Sequence, residues 1–151
     1  MKQHILNASS FLFLFLIACN NGDKDSPKSE NDIDAARNFI RSSLDGKFKD
    51  AKTFLLNDST NEQYFDAYER NYQRVDADTK RSYRESTINI HNVKQLNDST
   101  TVVIYSNSYK NDHDTLRILK KNSQWLVDFK YLFEHDNDSL NNASAKKDTL
   151  K

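Results

Sequence analysis

The chain has 151 residues, enough for one ordinary domain, and with 29% charged residues and a mean hydropathy of −0.87 it is not a membrane protein of many spans. Aromatic residues make up 11%, mostly Phe and Tyr that bury large areas, which excludes a wholly disordered chain. Basic and acidic residues balance at 22 each, so charge makes no case for nucleic acid as a partner.

Residues 11–18, FLFLFLIA, are eight apolar residues in a row. A bilayer-spanning helix needs ~20. Lys2, the apolar centre at 11–17 and the small Ala18 follow the order of a secretory signal. Cys19 comes next and is the only cysteine, which excludes an intramolecular disulfide and a multi-cysteine zinc site. A lone cysteine in that position points to chemistry of the thiol itself. Leu16-Ile17-Ala18-Cys19 closely resembles the lipobox of bacterial lipoproteins. The resemblance implies cleavage between Ala18 and Cys19, removal of residues 1–18, and a diacylglycerol on the Cys19 thiol. An ordinary signal peptide with an incidental cysteine is the competing reading. Several acyl chains, at ~0.8 kcal/mol per buried methylene, anchor stably where one chain is marginal. The expected location is therefore the cell envelope at the outer membrane, with the membrane as a partner through the N-terminal lipid.

Residues 19–30 are polar, contain Gly22 and Pro27, and read as a flexible tether. Asp23 and Asp25 are similar to the surface-export signals of Bacteroidetes lipoproteins. Residues 31–44 predict a helix, with Asn31 or Asp32 as cap and Ile33, Ala36, Ile40 and Leu44 on one face. Asp45-Gly46 breaks it, and Phe48, Ala51, Phe54 and Leu55 resume as a second, short helix. Ser59 and Glu62 fit a capping box. Tyr64, Phe65, Tyr68 and Tyr72 follow at helical spacing, and Asp76 can cap another turn or two through Tyr83.

After Ser86 the period falls from 3.6 to 2. Ile88 and Ile90 alternate, and the shift of phase to Val93 predicts a bulge. A turn at Asn97-Asp98 leads into 100–109, with Val103, Tyr105 and Tyr109 on one face and Val102 and Ile104 on the other. Asn111-Asp112 turns, Leu116 and Ile118 alternate, and Lys121-Asn122 turns again. Trp125, Val127, Phe129, Tyr131 and Phe133 then predict a last strand running to 133. Short turns imply an antiparallel meander whose apolar face the helices must cover. Residues 135–151 lack apolar periodicity and read as a disordered tail.

The expected fold is α+β: N-terminal helices packed on a curled four-stranded antiparallel meander, cone-like, in a single domain over 31–134. This order resembles the nuclear transport factor two-like and SnoaL-like cone fold. The resemblance lies in the helix break at Leu44-Asp-Gly-Lys-Phe-Lys-Asp-Ala51, the strand Thr100-Thr-Val-Val-Ile-Tyr105 and the closing Trp125-Leu-Val-Asp-Phe129. With the lipobox, the chain resembles small Bacteroidetes lipoproteins of unknown function. A cystatin-like helix-on-sheet domain has much the same order of elements.

Cone-fold enzymes use an Asp or His base with Tyr or Asp donors inside an apolar cavity. No motif carries those residues over, so no catalytic residue is assigned. Tyr68, Tyr105 and Tyr131 are the candidate pocket residues, with Asp66 near the helix face; the bland alternative makes the tyrosines core residues with hydroxyls at the rim. His91, His113 and His135 are about twenty residues apart, without zinc-site spacing. Asp112-His113-Asp114 reads as a solvated turn, so neither metal nor cofactor is expected. Asp-Ser/Thr patterns at Ser59, Ser99, Thr115, Ser139 and Thr149 are similar to an O-glycosylation signal of exported Bacteroidetes proteins. The functional expectation is a lipid-anchored domain binding an unidentified protein or small-molecule ligand without catalysis. The alternative is an isomerase or dehydratase acting on a small apolar substrate. A third reading packs an apolar outer sheet face, Val102, Ile104, Leu126 and Leu132, on a larger complex.

Overall fold

The computed structural model describes residues 28–134. The expectations for Ala18, Cys19, the signal at 1–18, most of the tether, His135 and the tail at 135–151 lie outside the described residues.

Helix α1 is Asp32–Leu44, capped by Asn31, whose side chain accepts from the backbone N–H of Asp34 at 2.9 Å. Its apolar face, Ala35, Ala36, Phe39, Ile40 and Leu44, is buried. Gly46 follows at φ +74°, a left-handed conformation that suits glycine at a helix end. Helix α2 is Phe48–Lys52 and helix α3 is Ser59–Arg74. The cap of α3 is Asp58 and not Ser59: its carboxylate accepts from the N–H of Thr60 and of Asn61. A carboxylate is also favoured by the positive end of the helix dipole. Helix α4, Ala77–Glu85, is capped by Asp76 as expected and runs two residues past Tyr83. Arg41 clamps the end of α4 to α1, donating to the carbonyls of Tyr83, Arg84 and Ser86.

Four strands follow, β1 (Ile88–Asn97), β2 (Thr100–Asn107), β3 (Asp114–Lys121) and β4 (Gln124–Asp128), paired in that order as an antiparallel meander. The helices-then-meander expectation therefore holds. The predicted bulge is also present: the register passes from Ile90 to Asn92 and leaves His91 as the extra residue. Asn122 and Ser123 both have positive φ, the form of two-residue turn whose twist matches a hairpin.

The last strand is shorter than expected. It stops at Asp128, and residues 131–134 form a single helical turn. The ladder ends because the Lys130 N–H is taken by the Asn61 side chain at 2.8 Å instead of by a strand. Residues 54–56 cover the outer edge of β4, with Leu56 N–H donating to Val127 O and Val127 N–H to Phe54 O. Among the described residues no strand pairs with the outer edge of β1, which carries Lys94 and two register shifts, features that discourage edge-to-edge pairing.

The core lies between α1–α3 and the inner sheet face. Val103, Leu116, Ile118 and Val127 are fully buried there. Phe39, Phe65 and Phe129 meet pairwise at 5.3–5.5 Å between ring centroids. Phe48 adds edge contacts to Tyr68 and Tyr72. These rings fill most of the space that a hollow cone would leave.

Candidate functional site

What remains open is a cavity of about 90 Å³ at the end of the sheet where β2 runs into β3. Helix α1 supplies Phe39, Ile40, Ser43 and Leu44. Tyr68 comes from α3 and Tyr83 from α4. Tyr105 and Asn107 come from β2, Lys110 from the following turn, Asp114 from the start of β3, and Phe129 and Leu132 from the segment after β4.

Sheet register makes the polar part of this cavity. Tyr105 and Asp114 are direct partners across the β2–β3 ladder. Burial, and after it the Asp114 charge, push the Tyr105 phenol well above its ordinary value. Burial likewise pushes Tyr68 up, with smaller contributions from Tyr83, Tyr72 and Asp114. Both phenols are therefore neutral donors at any physiological pH. Asn107 holds the turn that carries Lys110, its side-chain oxygen accepting from the N–H of Tyr109 and of Lys110. The Ser43 hydroxyl is spent on its own helix, on Phe39 O at 2.8 Å. Lys110 Nζ stands over the Tyr83 ring, 5.9 Å from its centroid, at the mouth.

The structure brings Tyr68 and Tyr105 together and separates Tyr131 from them. Tyr131 lies on the outer side of the sheet, beside Val102 and Ile104, with the Arg117 guanidinium 4.5 Å from its ring centroid. The helical turn at 131–134 rotates it away from the face that strand alternation assigns. Leu132, expected on the outer face, lines the cavity instead. Asp66 is half-buried and paired with Lys52 at 2.8 Å, outside the cavity. Asp114 and Tyr83 went unassigned to any pocket by sequence reasoning. Only the register that sets Asp114 opposite Tyr105 singles it out.

Two histidines meet on the outer side. His91, on the bulge, is 2.8 Å from Ser106 Oγ through Nε2, and its ring lies 4.1 Å from that of His113. Among the described residues no three His, Cys, Asp or Glu side chains gather as a metal-ligand set. Ser59 and Ser99 are exposed and Thr115 is half-buried. Among the described residues no helix is long and apolar enough to cross a membrane.

No protein-family model and no curated protein matches the chain. A solved structure of an NTF-2-like protein of unknown function from Shewanella oneidensis is similar over 63% of this chain and 89% of that one, at 15% identity and a TM-score of 0.47.

Proposed function

We propose that this chain is a lipid-anchored envelope protein whose α+β domain binds a small group of a ligand or partner without chemistry. The observation that carries the binding reading is the cavity at Tyr68 and Tyr105. Packed Phe rings reduce it to about 90 Å³, while it keeps two neutral phenols and one carboxylate facing the same space. Pockets that engulf a whole metabolite or drug run to ~300–1,000 Å³. A space this small takes a head group and leaves the rest of its owner outside. The anchor rests on Leu16-Ile17-Ala18-Cys19 alone.

Each half has its own test. Cys19→Ala is expected to release the protein from membranes or leave it unprocessed and unlabelled by a radioactive fatty acid. Normal processing with unchanged membrane fractionation would refute the anchor. For the cavity, narrowing it with Ile40→Phe is expected to abolish binding of small probes while leaving a cooperative unfolding transition. Probe binding that survives the narrowing places the site elsewhere.

The pairing of Tyr105 with Asp114 across the ladder, in the lining of the cavity, also favours a second reading. A carboxylate base beside a phenol donor is the pairing that proton transfer at a carbon next to a carbonyl requires. On that reading the domain is an isomerase or dehydratase for a small apolar substrate. Asp114→Asn would then abolish turnover while leaving ligand affinity almost unchanged, whereas a binding site loses affinity.

A further inference from the structure

We propose that the cavity is an aromatic cage for a small alkylammonium group, with Asp114 as its counter-charge. The proposal rests on the binding reading of the cavity given above and names the chemistry of what enters it.

The walls carry the first part of the argument. Tyr68, Tyr83, Tyr105 and Phe129 line the space from four different parts of the chain. Aromatic faces are electron-rich and attract cations, most strongly where water is excluded. Charge placement carries the second part. Two charged residues line the cavity, Asp114 and Lys110. Asp114 is half-buried, in register with the buried Tyr105, whereas Lys110 is exposed at the mouth. The interior therefore favours a positive group over a negative one, although a lysine stands at the entrance.

That lysine is itself evidence of what the walls hold. Its ammonium already lies over the Tyr83 face, and on the adjoining Tyr72 the Lys80 ammonium lies at the same 5.9 Å. This aromatic strip recruits ammonium groups from its own chain. Lys110 is then an internal competitor that an incoming cation displaces. Size carries the third part. A space of about 90 Å³ suits a methylated ammonium of a few heavy atoms. Strand register sets Asp114 beside the buried Tyr105, so the sheet positions the counter-charge before the cation arrives.

The test titrates the full-length chain in detergent with tetramethylammonium chloride by calorimetry. Tert-butanol serves as the neutral probe of similar shape, and sodium chloride as the ionic-strength control. Tetramethylammonium is expected to bind at least tenfold tighter than tert-butanol. Asp114→Asn is expected to weaken it at least tenfold, and Lys110→Ala to tighten it several-fold. Equal binding of the two probes overturns the cage and leaves the cavity as a site for neutral groups. Failure of both probes with wild type and with Lys110→Ala overturns the cavity reading as well. Lys110 is exposed, so that variant folds and decides the matter if Asp114→Asn does not: an affinity that fails to rise overturns the proposal.

Discussion

Asn61 Nδ2 donates to Asp128 Oδ1 at 3.0 Å, joining the first turn of α3 to the last residue of β4 across 67 positions of sequence. Both side chains are buried. The same Asn61 amide donates to Asp58, and its oxygen accepts from the Lys130 N–H. Arg117 and Lys130 supply the positive charge that Asp128 needs. A buried carboxylate is tolerated only when it is paired and hydrogen-bonded throughout. Asn61→Ala removes a donor from that carboxylate and leaves the Lys130 N–H without its partner. The expected loss is about 2–4 kcal/mol in urea unfolding followed by circular dichroism. A loss below about 0.5 kcal/mol would mean that water replaces the amide.

Asp58 ties acid sensitivity to the same junction. The Asn61 N–H, then Lys130, hold its carboxyl down from 3.8 to about 2 against the opposing effect of burial. The folded value lies below the unfolded one, so the stabilisation is present above pH 4 and is lost as pH falls from about 4 to about 2. Its side chain is 35% exposed, which screens the interaction and leaves a contribution of about 1 kcal/mol. Asp58→Asn can keep the cap but cannot titrate. Its melting temperature should fall less than that of wild type between pH 5 and pH 2, and parallel curves would assign the acid sensitivity to other carboxylates.

Gly46 joins α1 to α2 under the ring of Tyr72. A Cβ there would stand 2.9 Å from Tyr72 Cε1, at a φ of +74°. Tyr72 is buried and its hydroxyl donates to Leu44 O at 3.2 Å, so it cannot swing aside freely. Gly46→Ala should cost about 2 kcal/mol, part from the left-handed backbone and part from the contact. Adding Tyr72→Phe should recover little, because the ring carbon that is struck remains. Full recovery in the double variant would place the conflict at the hydroxyl.

Val93 and Val103 are partners across β1 and β2. Val103 is fully buried, whereas Val93 is 44% exposed where β1 runs past the helices. Val103→Ala should cost about 2 kcal/mol and Val93→Ala less than about 0.5. Similar losses for both would show that something covers the far half of β1 in solution.

Much of the architecture was legible from periodicity and turn chemistry. The change from helical to alternating spacing after Ser86, the asparagine-containing turns and the phase slip at His91 each report a local backbone preference, and each appears where expected. The end of β4 was not legible. Phe129, Tyr131 and Phe133 alternate as a strand would, yet β4 ends at Asp128 and the side chain of Asn61 captures the Lys130 N–H. Ser59 with Glu62 made a sound capping box on paper, but Asp58 is one residue earlier and also meets Lys130 from the far end of the chain.

By itself, the sequence determined the helices-first, strands-second order, the bulge and the Cys19 motif, because each depends on neighbours within a few residues. Only the tertiary structure decided that Tyr68 and Tyr105 share a cavity with Asp114, that Tyr131 lies across the sheet from them, and that phenylalanines close most of the cone. Those outcomes depend on strand register and on helices docking from distant parts of the chain, and no local pattern encodes which distant side chain completes a contact.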